Sequence, residues 1–240
     1  MNSLYKKSEI GFAITWIVVY VISLSIADNI STSIGMYKSI TSILCILLSV
    51  FLYRWIYKND LMEKYGLCKS SIPAKKLLYY IPFVVIASIN VWFGVCMNYS
   101  VLETIFHIIA MMGVGFLEEV IFRGLLFKAM SKDGLTFAII VSSITFGIGH
   151  IVNLFNGSGA DLLSNILQVC YAIAAGFMFT MMFYKSGSLW ACIITHGVLN
   201  SLSVFANQSI ITPMHKVFTA MILCVIPFAY TIYILKLKKE

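Results

Sequence analysis

The chain has 240 residues, of which 60% are hydrophobic and only 11% carry a charge. A soluble domain of this length could not enclose so large an apolar fraction in one core, so the composition excludes that class and predicts an integral membrane protein. The net charge of +7 follows from lysines placed along one side of a bilayer, and it predicts a lipid partner and no nucleic acid.

Apolar runs of about 20 residues, the length that crosses a bilayer as a helix, recur eight times along the chain. In order, the predicted spans are Ile10 to Ala27, Met36 to Tyr57, Leu77 to Asn98, Val101 to Met130, Leu135 to Ile151, Leu162 to Tyr184, Leu189 to Ala206 and Val217 to Leu235. The fourth is longer than a bilayer requires and is expected to tilt or overrun. The spans predict an all-α polytopic membrane bundle of about eight helices, forming a single integral membrane domain over residues 1–240.

The loops carry basic residues in an uneven pattern that orients the bundle. With the N-terminus inside the cell, the cytoplasmic segments contain Lys6, Lys7, Arg54, Lys58, Lys64, Lys69, Lys75, Lys76, Lys128, Lys132, Lys185, Lys236, Lys238 and Lys239. Only Lys38 and Lys216 fall on the other side, and Arg123 lies near the cytoplasmic end of the fourth span. The positive-inside rule therefore predicts a multi-pass protein of the cell membrane with both termini cytoplasmic.

The fourth predicted span contains charged residues at membrane depth, where they are costly and indicate a functional site. Successive helical residues point about 100° apart, so Glu118 and Glu119 cannot aim at the same point. Glu119 and Arg123 are four residues apart and share a helix face, which favours a buried ion pair. Glu118 is then free of the arginine, and we expect it to act as a general base supported by the Glu119–Arg123 pair.

Two later spans each combine a histidine with a partner four residues away. Phe146 and His150 share a helix face, so the phenylalanine ring can form a wall of a site into which His150 points. His196 and Asn200 repeat this spacing, and both side chains can donate hydrogen bonds to a developing oxyanion. A water activated by Glu118 and His150, attacking a carbonyl held by His196 and Asn200, would make a complete site for peptide hydrolysis.

These three motifs resemble those of a known family. Residues 118–123 fit the pattern EExxxR, residues 146–150 fit FxxxH and residues 196–200 fit HxxxN of the CPBP (Abi) family. That family joins type II CAAX prenyl endopeptidases with bacteriocin-processing and self-immunity proteins. The resemblance implies an eight-helix core, with Glu118 and His150 holding the catalytic water and His196 and Asn200 forming the oxyanion hole. It places the catalytic core at about residues 101–206.

The sequence allows two interpretations of the site, with and without a metal ion. Glu118, His150 and His196 would make an acceptable set of zinc ligands with one open position. The motif HExxH is absent, asparagine is a poor zinc ligand, and no cysteine lies within any of the three motifs. We therefore predict catalysis without a cofactor, with zinc as the alternative.

The predicted activity is that of an intramembrane endopeptidase acting on a membrane-embedded or membrane-associated peptide or protein. The substrate could be a peptide pheromone or bacteriocin precursor, or a prenylated C-terminal tail, and the composition favours the peptide. We expect the cut to lie near the cytoplasmic face, where Arg123 and the lysines lie. The alternative function is a non-catalytic membrane partner of the same family, serving in immunity or regulation.

The remaining polar motifs predict structural roles. Gly157-Ser158-Gly159 superficially resembles a serine-protease motif, but it stands among polar residues and is better explained as a turn within a candidate mobile loop, Val152 to Asp161. His107 is expected to make a structural hydrogen bond. Close helix approach is expected at five glycines, Gly113, Gly115, Gly147, Gly149 and Gly197.

Overall fold

The computed structural model describes residues 1–155 and 161–237. The predicted turn at Gly157-Ser158-Gly159, which with residues 156 and 160 is half of the predicted loop, and Lys238 and Lys239 lie outside the described residues. The α-helices are α1 Asn2–Lys7, α2 Glu9–Ser33, α3 Ser39–Lys58, α4 Ile81–Ser88, α5 Val101–Glu118, α6 Lys128–Met130, α7 Leu135–Gly149, α8 Leu162–Ser186, α9 Trp190–Leu202 and α10 Pro213–Lys236. Short 3₁₀ segments cover Ala74–Tyr80, Ile89–Val91, His150–Leu154 and Ser203–Phe205, and a π-helical segment covers Glu119–Phe127.

The predicted class, an all-α polytopic bundle, is confirmed. Within the described part of the chain, seven helical segments are long and apolar enough to cross a membrane. The seventh predicted span, Leu189 to Ala206, corresponds to a shorter apolar helix, Trp190–Phe205, which comprises α9 and the 3₁₀ turn after it. Eight apolar segments are therefore present at the predicted positions, but one is short.

The third predicted span is not one continuous helix. Its first turns, Ala74–Tyr80, are 3₁₀, and Leu78, Tyr79 and Tyr80 have left-handed backbone angles. The regular helix α4 begins only where Pro82 enters its first turn. Helical structure ends at Val91, and Cys96 then donates a backbone hydrogen bond to the carbonyl of Phe205. The predicted boundary at Asn98 is therefore wrong, because residues 92–98 leave the helix to pair with the chain after α9.

The fourth span runs unbroken from Val101 to Met130 and changes helical type midway. It begins at a capping box in which Ser100 and Glu103 satisfy each other's backbone N–H groups. From Glu119 onward the helix widens into the π form, and the hydroxyl of Ser142 donates to the carbonyl of Phe122 at 2.9 Å. Every residue of the π segment is buried. Local π turns are frequent at functional sites because they displace side chains from the regular α pattern.

The helix ends form two faces, which we call the lysine-rich face and the lysine-poor face. On the lysine-rich face, Glu9 at the start of α2 bonds to Lys64 at 2.9 Å and to Lys132 at 2.7 Å. The loop after α3 reaches the end of α8 there, where Ser71 donates its backbone N–H to Ser186. At the opposite ends of the same helices, Lys38 bonds to Asp28, and Lys216 to Asp161, so this lysine-poor face contains the two lysines that the sequence places apart.

Helices α5 and α9 approach so closely that only glycine fits between them. A Cβ on Gly115 would lie 2.6 Å from the backbone nitrogen of Gly197, which is far inside van der Waals contact. Gly115 is three residues before Glu118, and Gly197 directly follows His196. This contact therefore brings the acidic pair of one helix beside the histidine of the other. The close approach predicted at Gly149 is wrong, since nothing lies within 4 Å of the Cβ position there.

Candidate active site in the bundle interior

The sequence-predicted site residues surround one cavity inside the bundle. Its volume is about 440 Å³. Glu118, His150, His196 and Asn200 all contribute to its wall, and they come from the fourth span, the end of α7 and α9. Residues up to 82 positions apart in sequence thus meet at one place, and the helices around them are apolar.

The carboxylate of Glu118 has one bonded oxygen and one free oxygen. The hydroxyl of Tyr20, on α2, donates to Oε1 at 2.6 Å. The other oxygen, Oε2, is buried without a hydrogen-bond partner among the described residues, and it lies 3.5 Å from Nε2 of His196. Tyr20, Glu118 and His196 are each less than a tenth exposed. An unpartnered carboxylate oxygen in such a setting is suited to hold and deprotonate a water.

Glu119 forms the predicted ion pair and a second contact that the sequence did not indicate. Its Oε1 accepts from Nη1 of Arg123 at 3.1 Å, and both side chains are fully buried. The same oxygen lies 2.9 Å from Nδ1 of His196. Because an ionised carboxylate can only accept, Nδ1 carries a proton and donates it, which fixes the ring orientation. Glu119 therefore connects the arginine to the histidine and leaves Nε2 facing the cavity.

Aromatic rings enclose these charges. The guanidinium carbon of Arg123 lies 3.9 Å from the centre of the Phe146 ring, in a cation–π contact. The same ring stands edge-on to His150 at 5.2 Å and to His196 at 5.8 Å between ring centres. Phe179 packs against His196 from the other side. Phe146 thus forms the wall predicted for it and contacts three of the polar site residues at once.

Asn200 and His150 are half-buried at the cavity wall. The backbone carbonyl of Asn200 accepts from Nε2 of His107 and from the hydroxyl of Ser203, at 3.1 and 2.7 Å. The predicted structural hydrogen bond of His107 is thereby present. On the other side, the amide of Asn165 donates to the carbonyl of His150 at 2.8 Å. These bonds fix the backbone at the two positions and leave both side chains on the cavity.

The side chains of the alternative zinc set do not converge on one point. Among residues 1–155 and 161–237, no group of three His, Cys, Asp or Glu side chains has an arrangement that could hold a metal ion. The bonds of His196 Nδ1 to Glu119 and of Glu118 Oε1 to Tyr20 leave Nε2 and Oε2 of the two residues 3.5 Å apart. It is therefore the grouping of the side chains, and not a lack of donor atoms, that does not fit a three-ligand zinc site.

The cavity extends from Glu118 toward the lysine-poor face. Along α2 its lining runs from Tyr20 to Asp28, about 12 Å at the rise of an α-helix. At that end its lining includes half-buried polar residues, namely Ser25, Asp28, Lys38, Asn90, Asn153, Gln168 and Thr219. At the other end the lining side chains of Phe122, Phe146 and Phe179 are buried.

Tyr20 is the site residue that sequence reasoning missed. It continues the series Phe12, Trp16 and Tyr20, each four residues apart on one face of α2. This spacing predicts a face packed against the bundle, and all three residues are buried. The pattern identifies Tyr20 as a core residue, but only the packing of α2 against the fourth span shows that its hydroxyl meets Glu118.

Apolar spanning helices around a buried acid–histidine cluster define the class: the chain is a multi-pass membrane protein. Residues 100–202 match the family described as "Type II CAAX prenyl endopeptidase Rce1-like". The chain is also similar to "Putative membrane peptidase YdiL" of Bacillus subtilis (strain 168), with 34% identity over 89 residues. These matches confirm the resemblance to the CPBP family of membrane proteases that the three motifs indicate.

The matched segments cover only part of each protein. The alignment with the Bacillus relative spans 37% of this chain and 31% of that protein. The family match, residues 100–202, contains all three motifs but leaves out α2, and with it Tyr20. No solved structure matches the chain significantly.

Proposed function

We propose that this protein is an intramembrane endopeptidase that hydrolyses a peptide bond in a membrane-associated peptide or protein. The observation that carries the proposal is the convergence of Glu118, His150, His196 and Asn200 on one cavity within an apolar bundle. The similarity of residues 100–202 to a family of prenyl endopeptidases supports the same reaction class.

The proposed reaction begins with a water held between Oε2 of Glu118 and the ring of His150. Glu118 accepts a proton from the water as the oxygen attacks the substrate carbonyl. The resulting oxyanion accepts hydrogen bonds from the amide of Asn200 and from Nε2 of His196. The C–N bond then breaks, and the protonated Glu118 returns its proton to the leaving nitrogen.

His196 can donate from Nε2 only when both of its ring nitrogens carry protons, since Nδ1 already donates to Glu119. The imidazolium would be balanced by its surroundings. Glu118 and Glu119 contribute two negative charges, and Arg123 and the imidazolium contribute two positive charges. We therefore assign Glu119 and Arg123 the role of holding His196 in the orientation and charge state that the oxyanion requires.

We propose that the reaction uses no metal, and that the substrate is a peptide or an unlipidated protein segment. The polar lining of the cavity mouth, with its amide and hydroxyl groups, suits a polypeptide backbone. No group of three His, Cys, Asp or Glu side chains in the described part of the chain is arranged to hold a metal ion, which supports hydrolysis by a glutamate-activated water.

The test is cleavage of a library of membrane-associated peptides, prenylated and unmodified, by the purified protein in liposomes. We expect turnover by the wild type in the presence of chelator, and its loss in Glu118→Gln and His150→Ala. Asn200→Ala should lower kcat by about 10²–10³. Glu103→Gln, a matched change on the same span but at the capping box on the lysine-poor face, should keep wild-type activity.

Other outcomes would redirect the proposal. Activity abolished by chelator and restored by zinc would support the metal alternative. A wild-type protein inactive on every substrate would favour the non-catalytic immunity or regulatory partner.

A further inference from the structure

The distribution of polar residues along the cavity indicates the side from which substrate enters. A buried layer that includes Arg123, Phe127 and Phe183 separates the cavity from the lysine-rich face. Toward the lysine-poor face, the lining includes several half-buried polar residues beside apolar ones such as Leu24 and Val152. The site is therefore closed on the side of the many lysines and open on the other.

We propose that the substrate peptide reaches Glu118 from the lysine-poor face, which the positive-inside rule places outside the cytoplasm. This inference rests on the proposed function in taking the molecule that enters to be a substrate. The route itself is a property of the cavity. It replaces our expectation of a cut near the cytoplasmic face. That expectation followed from the position of Arg123, and Arg123 is fully buried beneath the cavity floor rather than facing an entrance.

The charges at the entrance favour a particular substrate chemistry. Asp28 and Lys38 neutralise each other at 2.8 Å, so they give the mouth no strong net charge. The uncharged groups around them include the amides of Asn90 and Gln168 and the hydroxyls of Ser25 and Thr219. Such groups can bond the N–H and C=O groups of an extended peptide, and the apolar lining residues beside them, such as Leu24 and Leu199, can contact its side chains.

A labelling experiment tests the entry side without any assay of activity. Ser25 lines the cavity, and native cysteines mark the two faces: Cys68 lies in the loop on the lysine-rich face, and Cys96 follows α4 on the lysine-poor face. Intact cells and inverted vesicles containing Ser25→Cys are treated with a membrane-impermeant maleimide. Peptide mapping by mass spectrometry then identifies each labelled position. Because burial raises the pKa of the Cys68 thiol, the labelling is done at alkaline pH.

We expect the introduced thiol at position 25 to be labelled from the same side as Cys96 and from the side opposite to Cys68. Labelling of position 25 from the Cys68 side, or from neither side, would overturn the inference. Loss of peptidase activity has no bearing on this result, so the two proposals can fail separately.

A second and independent observation concerns the hydroxyl of Tyr20. It donates to Oε1 of Glu118 at 2.6 Å, while Oε2 has no partner among the described residues. We infer that Tyr20 is a positioning residue, which fixes the carboxylate rotamer and leaves Oε2 as the oxygen that binds water. α2 would then supply part of the active site from outside residues 100–202, where the family similarity lies.

The test is Tyr20→Phe, which keeps the ring and removes the hydrogen bond. A hydrogen bond to a charged group is worth a rate factor of about 10 to 100, so we expect kcat to fall by about that factor with KM little changed. Tyr230→Phe is the matched control, because Tyr230 is as buried and its hydroxyl donates to the carbonyl of Leu77 at 2.8 Å, away from the cavity. It should keep the wild-type kcat.

An unfolding double-mutant cycle between Tyr20→Phe and Glu118→Ala gives a readout that needs no turnover. Non-additive effects on the unfolding equilibrium are expected if the two side chains interact. Additive effects, or a Tyr20→Phe protein with the wild-type kcat, would contradict the assigned role.

Discussion

Two adjacent glutamates have different surroundings, and the difference follows from their partners. Glu119 is fully buried and bonds both Arg123 and His196. Glu118 accepts from a neutral phenol, and its Oε2, like Oε2 of Glu119, has no hydrogen bond among the described residues, but Glu118 lines the cavity and Glu119 does not. The first carboxylate is thus held within an ion-pair network, and the second is left available to a ligand in the cavity.

This difference predicts the effect of neutralising Glu119. Glu119→Gln would leave Arg123 as an unpaired buried cation, which typically costs about 3–5 kcal/mol of folding free energy. We expect a correspondingly large loss in the free energy of unfolding, measured in detergent. Glu9→Gln is the matched control, since Glu9 pairs with Lys64 and Lys132 at the lysine-rich surface, where an ion pair contributes about 0–1 kcal/mol. Equal losses in the two variants would show that the interior pair is not important for stability.

At the scale of helices, the site depends on how closely α5 and α9 pack. The contact of Gly115 with Gly197 sets the distance between the helix that carries the glutamates and the helix that carries His196. The π segment that follows alters the direction of the next side chains, and all of them are buried. α2 then closes the cavity by packing against this segment and against α3.

A methyl group at this helix contact should be enough to disturb the bundle. We expect Gly115→Ala to lower the free energy of unfolding by about 1–3 kcal/mol, because the added Cβ would clash with backbone atoms that cannot move aside. Gly149→Ala makes the same change where the Cβ meets open space, and it should be neutral or stabilising by up to about 1 kcal/mol. Thermal unfolding of the two purified variants in one detergent compares them directly. A Gly115→Ala protein as stable as Gly149→Ala would show that the helices can separate at no cost.

At the scale of the whole molecule, the bundle is apolar outside and holds its charges within. Large hydrophobic side chains of α2, such as Ile14, Ile22 and Ile26, are more than half exposed, as expected for a surface in contact with lipid. The face with most of the lysines is packed shut, while the cavity reaches the face with few. The cavity of such a bundle is accessible from one face only.

The sequence predicted much of this arrangement because its signals are local. Composition and the length of apolar runs predicted a polytopic helical bundle, and the spacing of Glu119 and Arg123 predicted their ion pair. The three motifs specify five of the residues that line the cavity, Glu118, Phe146, His150, His196 and Asn200. The broken third span was missed because its left-handed residues, Leu78 to Tyr80, are as apolar as a helix would be. Hydropathy measures burial in lipid and does not report backbone angles.

By itself, the sequence determined the class of protein, its approximate spans and the family to which its motifs belong. Those properties depend on residue type and on spacings shorter than one helix. The tertiary structure alone decided that Tyr20 meets Glu118 and that Glu119 bonds His196, contacts that join residues 98 and 77 positions apart. It also decided which face the cavity reaches. Each of these depends on the rotation and depth of one helix against another, which side-chain packing sets and no local pattern encodes.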